Sequence, residues 1–506
     1  MNLVAIAIPL LTLALPDGAQ AQTLRYAEDR APAIVNPLFA TTMSEARIDE
    51  LVFDGLFTDG NDLSSTGRLA DSFELAPDMM SMQVRLRRDV LWHDGELFDA
   101  DDVVFSIEAY KNPSTASSEA GRVAWIKSAL AMNAHTVFLE FVKPEYAPQD
   151  KLHFKILPKH RFQGTAISRT DPFRTQPVGT GPYKLVSFND DNSVSLARHA
   201  RHWAEPQLPE VAMREVSDKN YQAKLLTYES LETLISVLPR DLATLQNDRQ
   251  VELYPYQTNS WWYLGLNQRK AALRDTRVRE AIALMVSVPD LLAPIGTGDR
   301  VSGPFVPSSP FYNHDVAPLS PNPGRAGQLL TDAGYKLKND RWVDRKGNPL
   351  TIRLVSQANL ETAQDVVINV QSQLQSQGLT VEPQFLGIAE YRRRVWRDHD
   401  FDIVLSTWSF DRSEDIYEQF HSKGSRNFIG YTNAEVDQLL TDARAAVDPQ
   451  RKKALLRTVH ATIAGDHPMV FLWTLDNYAA LSTRVKNVTV HPFYFFTWIT
   501  DWALAK

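Results

Sequence analysis

The chain has 506 residues, 44% hydrophobic and 23% charged, and its 53 Lys+Arg against 61 Asp+Glu give a formal net charge of −8. Those proportions exclude a disordered chain, and the acidic balance argues against binding nucleic acid through a basic surface. With no cysteine, disulfides, thiolate metal sites, cysteine nucleophiles and lipid attachment at an N-terminal Cys are removed together, and no internal apolar run approaches the roughly 18–20 residues that span a bilayer.

In chain order, the first element is a leader. Residues 3–16 read LVAIAIPLLTLALP, an apolar stretch of signal-peptide length that Pro16-Asp17-Gly18 breaks. Ala19-Gln20-Ala21 then offers an A-x-A cleavage site. A buried helix is the alternative, and Pro9 and Pro16 disfavour it, because an interior proline costs a helix about 3 kcal/mol. No Lys or Arg precedes the run, a departure from the usual leader. We expect residues 1–21 to be a signal peptide cleaved after Ala21, giving an exported mature chain that is not a lipoprotein.

Beyond the leader the sequence predicts a strand over 24–27 and a helix from about 44, with Ile48, Leu51 and Val52 on one face. Residues 82–87 alternate Met82, Val84 and Leu86 against Gln83, Arg85 and Arg87, the pattern of a half-buried strand. After the turn His93-Asp94-Gly95-Glu96, Asp99 is the expected N-cap of a helix carrying Val103, Val104 and Ile107. Asp101 and Asp102 then sit at the positive end of its dipole. A strand over 136–142 follows. Val178-Gly179-Thr180-Gly181-Pro182-Tyr183 reads as a tight turn feeding a hairpin of 183–188 and 194–198.

In the second half strands and helices alternate. Helices are expected over 275–285, 324–333, 361–377, 434–446 and 449–464, and strands over 350–355, 379–382 and 469–473. The stretch 401–408 (FDIVLSTW) is continuously apolar from Ile403 to Leu405, in the way of a strand covered on both faces. This alternation predicts α/β lobes, and the length predicts two or three of them.

The run Trp92-His93-Asp94-Gly95-Glu96-Leu97-Phe98-Asp99-Ala100-Asp101-Asp102-Val103-Val104-Phe105-Ser106 resembles the signature of the family 5 extracellular solute-binding proteins, receptors of ABC importers for peptides, nickel and related solutes. Further segments agree in order: Leu69 to Glu74, Ile156-Leu157-Pro158-Lys159-His160, the 178–183 turn, Asp275-x-Arg277-Val278-Arg279, Ala326 to Tyr335, Asn427 to Asp437 and Asp466-His467-Pro468. Two places depart from the family pattern, Ser287-Val288-Pro289-Asp290 and Tyr228-Glu229-Ser230-Leu231-Glu232-Thr233.

The resemblance implies a two-lobe, periplasmic-binding-protein-like (type II) α/β fold with an extra subdomain in the first lobe. Lobe I is expected over 22–258 plus 476–506, with the extra subdomain at about 56–175, and lobe II over 259–475. It implies a periplasmic receptor that binds peptide-like ligands in the inter-lobe cleft and hands them to an ABC permease. A monomer is expected, without enzymatic activity, cofactor, metal, nucleic acid or stable membrane insertion. Oligosaccharides, metal chelates, opines and haem stay open as ligands, because one fold hosts many functions. An enzyme, or a sensory or chaperone-like binding protein, is the alternative in class.

In peptide-binding members a Trp-x-x-Asp at the end of the 401–408 strand supplies the carboxylate for the ligand's ammonium; Trp408 and Asp411 match it. Without a ligand role, Asp411 would cap or turn the following loop. Trp261 and Trp262 suit a cleft wall, although one of two alternating strand residues is usually core. Arg392-Arg393-Arg394 reads first as a solvated helix face. His199 and His202 have a metal-like spacing but no acidic third ligand nearby in sequence. The chain lacks a Gly-x-Ser-x-Gly elbow, His-Glu-x-x-His, a phosphate loop and a Gly-x-Gly-x-x-Gly fingerprint.

Overall fold

The computed structural model describes residues 22–505 except 165, 190, 229, 359–361 and 411–413. The leader and its cleavage point therefore lie outside the described residues, as does Asp411. Two sheets organise the rest. The first has seven strands in the order Val251–Gln257, Asp476–Ser482, Thr233–Leu234, Thr23–Glu28, Glu210–Glu215, Val194–Arg198, Tyr183–Phe188. Thr23–Glu28 runs parallel to both Glu210–Glu215 and Thr233–Leu234. The second has five, in the order Thr380–Leu386, Thr351–Gln357, Ile403–Ser409, Ser260–Leu266, Met469–Phe471, the first three parallel.

The chain crosses between the sheets twice. Val251–Gln257 belongs to the first sheet and Ser260–Leu266 to the second, while Trp473–Thr474 and Asp476–Ser482 carry the chain back. Polar side chains lace the two crossings: Asn477 Nδ2 donates to Thr258 Oγ1 at 3.3 Å and Gln257 Nε2 to Asp476 Oδ1 at 3.2 Å. Thr297 Oγ1 donates to the other Asp476 oxygen at 3.0 Å.

A four-stranded antiparallel sheet, Ala70–Leu75, Ser81–Leu86, Thr136–Phe141 and Ile126–Asn133, packs beside the first sheet with helix Ala100–Lys111. Its apolar residues, such as Val84, Val103 and Leu139, merge into the same buried cluster as Leu24, Tyr26 and Val211. The alternation read from 82–87 holds: Met82, Val84 and Leu86 are buried.

The resemblance motifs turn out to be clamps between distant segments. Asp102, 4% exposed, accepts from Trp92 Nε1 (3.1 Å), Asp99 N (3.1 Å) and Lys159 N (2.8 Å). Ser106 Oγ receives Leu157 N–H at 2.8 Å. The 92–106 run is thereby bound to the 156–160 segment. His93 accepts from Gly179 N at Nδ1 (3.2 Å), and its Nε2 donates to Gly181 O (3.0 Å). With both ring nitrogens committed to backbone, His93 has none left for a metal. The glycines are needed there because the turn presses on the end of helix Met43–Val52: a Cβ on Gly179 would lie 1.8 Å from Val52 O.

In the second sheet, Ile403–Ser409 is covered on both faces as its composition implied. Ile403 and Leu405 join the cluster under helices Thr276–Met285, Pro323–Asp332 and Ala363–Ser376. Val404 faces the cluster under Ala434–Ala445 and Pro449–Asp466. One predicted element is corrected. The strand expected over 469–473 is two, because Trp473–Thr474 leaves the sheet to pair with Asp299–Arg300.

Candidate functional site

Ligands of open α/β sheets bind beyond the carboxyl ends of the strands, and in both sheets those ends lead to the crossings. In the second sheet, Ser409 stands opposite Ser260, three residues after the first crossing strand ends. Phe410 N–H donates to Asn259 O at 2.8 Å, and Asn259 Nδ2 donates to Glu414 Oε1 at 2.7 Å. Ser309 Oγ donates to the other oxygen of Glu414. The loop that carries Asp411 thus leaves and returns against the crossing segment.

Trp408 is half-buried, packed on Phe410 and Phe428 with the Arg426 guanidinium 6.0 Å from its ring. With the Gln419 amide turned to satisfy its neighbours, Trp408 Nε1 donates to its oxygen at 2.8 Å. Of the adjacent tryptophans, Trp261 is the core member: 1% exposed, it packs among Tyr263, Phe410 and Phe471. Trp262 points to the opposite face, half-buried and stacked on Trp473.

In the first sheet, a cavity of about 430 Å³ opens at the ends of Thr23–Glu28 and Thr233–Leu234. Its wall includes Glu28, Asp29, Arg30, Arg47, Lys219 and Ser236, together with the first residues of helix Met43–Val52. Tyr256, on the crossing strand, donates to Ile235 O at 2.9 Å and so braces this wall. Glu28 is buried and accepts twice from Arg47 Nη1, at 2.7 and 2.9 Å. Burial raises the Glu28 carboxyl above the usual range, and Arg47 offsets this only in part. None of these residues was singled out from sequence. The rule that ligands bind beyond the carboxyl ends of α/β strands points to Glu28 to Arg30 when applied to the first strand.

The remaining sequence candidates resolve into structural roles. Arg393 pairs with Glu390 and Asp398, and Arg394 with Asp400 and Gln384, around a π-helical turn, Arg392–Arg397. His199 is buried, and His202 Nε2 lies 3.7 Å from Asp54 Oδ2. Among the described residues no group of three or more His, Asp or Glu has an arrangement that could hold a metal ion. No described helix is long and apolar enough to cross a membrane.

The fold and sequence match known proteins along nearly the whole chain. The oligopeptide-binding protein AppA of Bacillus subtilis is 25% identical over 494 residues, covering 94% of this chain and 90% of AppA. Its solved structure with a nonapeptide superposes with a TM-score of 0.78 at 24% identity, over 96% of this chain and 99% of that one. NikZ from Campylobacter jejuni, solved with Ni(L-His), gives a TM-score of 0.81 at 24% identity with the same coverage. The family model for bacterial extracellular solute-binding proteins, family 5, matches residues 65–428. This chain therefore belongs to the family 5 bacterial extracellular solute-binding proteins.

Proposed function

We propose that the chain is the exported receptor of an ABC importer, binding peptide-like ligands between two lobes and releasing them unchanged to a permease. One observation carries the reading: the carboxyl ends of the parallel strands in both sheets meet the chain crossings, with a cavity of about 430 Å³ on the first-sheet side. The lobes are taken as 22–258 plus 476–506 and 259–475, because the sheets exchange at 258–259 and 475. Contacts completed only on closure stabilise the closed form, which is the form a permease would select. The peptide preference draws on AppA, whose name and nonapeptide complex concern a protein 25% identical over 94% of this chain. The receptor is taken to work in the periplasm as a monomer, without catalysis or cofactor.

Asp411 is the proposed partner of a ligand's ammonium, next to Trp408, with Trp261 backing the site through Phe410. A charge-assisted hydrogen bond of this kind contributes about 1.5–3 kcal/mol. The test is thermal unfolding of the mature chain against di- to octapeptides, their N-acetylated forms, oligosaccharides and nickel chelates. A bound ligand at about 100 times its dissociation constant adds about 2.7 kcal/mol. We expect free-amino peptides to stabilise, and the effect to weaken on acetylation and in Asp411→Asn. Stabilisation by sugars or chelates alone would keep the receptor and discard both the peptide reading and the role of Asp411.

A further inference from the structure

From the charges around the first-sheet cavity we infer that this pocket holds an anionic group of the ligand, a carboxylate or phosphate-type oxyanion, through Arg30, Arg47 and Lys219. The inference rests on the two-lobe receptor reading and adds to it which end of the ligand faces the first sheet. Three observations carry it.

First, Glu28 does not offer a free negative charge. Both its oxygens are held by Arg47 Nη1, at 2.7 and 2.9 Å, so the pair is locally neutral. Second, Arg30 and Lys219 line the same cavity with exposed side chains, and neither makes an ion pair or side-chain hydrogen bond to any described residue. Against these two cations stands one exposed carboxylate, Asp29. Third, Arg47 has a donor left over: its Nε is buried and finds no acceptor among the described residues. A buried donor without a partner carries a desolvation penalty.

The start of helix Met43–Val52 also borders the cavity, so the positive end of its dipole adds to the same sign. The Thr41 and Thr42 N–H groups just ahead of the helix are already taken by Glu45. Arg47 supplies a planar fork suited to an oxyanion and Lys219 a mobile point charge. A ligand ammonium placed there would face two unpaired cations and only Asp29 in its favour.

The test uses the full mature protein and titration calorimetry with Ala-Ala-Ala, its C-terminal amide, succinate and inorganic phosphate. The wild type and the double variant Arg30→Gln/Lys219→Gln are compared; both side chains are exposed, so the fold is expected to survive, and unliganded melting checks it. We expect the free acid to bind at least about tenfold more tightly than the amide, a preference that shrinks with rising salt. In the double variant the two peptides should bind within about twofold of each other, a roughly fivefold fall in preference equal to about 1 kcal/mol. Equal binding of acid and amide by the wild type, or a preference that persists in the double variant, would overturn the inference while leaving the peptide reading intact. Binding of succinate or phosphate but no peptide, lost in the double variant, would support the anion pocket and defeat the peptide reading; the tighter of the two tells which oxyanion the pocket prefers. If no probe binds, both fall.

Discussion

Replacing Arg279 with methionine is expected to lower stability by about 3–5 kcal/mol, because several buried acceptors lose their donor at about 1–3 kcal/mol each. Arg279 is only 4% exposed. Its guanidinium donates to Leu273 O (3.0 Å), Arg274 O (2.9 Å), Asp466 O (2.7 Å), His467 O (3.1 Å) and Thr276 Oγ1 (3.0 Å). One side chain thus joins the entry to helix Thr276–Met285 to the turn after helix Pro449–Asp466. Methionine fills comparable volume but leaves those carbonyls buried without donors. Lysine should recover little, because its ammonium cannot reproduce a planar fork of five N–H donors. Urea unfolding near neutral pH measures the change; a loss below about 1 kcal/mol would mean that water replaces the arginine there.

Acid should destabilise the protein through histidines that the fold keeps neutral. Burial holds His93 down to about 3 and His460 down to about 4, while an unfolded histidine titrates near about 6.5. For His460 the cause is visible. Nδ1 accepts from Asn313 N at 3.4 Å and Nε2 donates to Ser302 Oγ, which donates to Tyr312 Oη at 2.8 Å. A second proton would oppose the Asn313 N–H, and His314 nearby adds to the effect. Both folded values lie below the unfolded one, so the unfolded chain binds more protons at mildly acid pH. Their contribution is complete above about pH 6.5 and is lost as the pH falls toward 4 and 3. Each is worth on the order of 2 kcal/mol by pH 5.

Asp49 and Glu28 act in the opposite sense. Burial raises both carboxyls, and they add stability as the pH falls through their folded values. A comparison of variants therefore isolates the histidine term better than the total slope. Between about pH 4.5 and 6, His460→Gln should show a stability curve shallower than the wild type by about 1 kcal/mol per pH unit. Parallel curves would remove His460 from the account.

Much of the fold was legible because its signals are local. The alternation at 82–87, the Asp99 cap and the apolar run at 403–405 each report a physical demand on a few adjacent residues. The motif segments were legible as a set, and their contacts explain why: Asp102 ties residues 92 and 159, and His93 ties residues 179 and 181. Such residues specify how the chain closes on itself, so they identify the family without touching a ligand. The parallel pairing of Thr23–Glu28 with Glu210–Glu215 had no local signal, since its partner lies nearly two hundred residues away. Nor did the departure of Trp473–Thr474 from its sheet, which depends on Asp299–Arg300.

The candidate site was legible in one half only. The resemblance to the family's Trp-x-x-Asp pattern pointed to Trp408 and Asp411, whereas the cavity at the first sheet is assembled from residues near 28, 47, 219 and 236 that no sequence window joins. Trp261 shows a second limit. Its position beside Trp262 was informative, but only packing decides which of the two faces the core.

The central claim, a receptor that holds peptides and does not transform them, is tested most directly by recovering what it binds. The mature protein is mixed with a defined pool of di- to octapeptides, separated from free peptide by gel filtration and denatured, and the released material is weighed by mass spectrometry. The account predicts a selected subset of the pool, intact in mass and at no more than one peptide per chain. Release of shortened peptides would identify an enzyme, and the absence of any retained peptide, with the protein folded, would contradict the peptide reading.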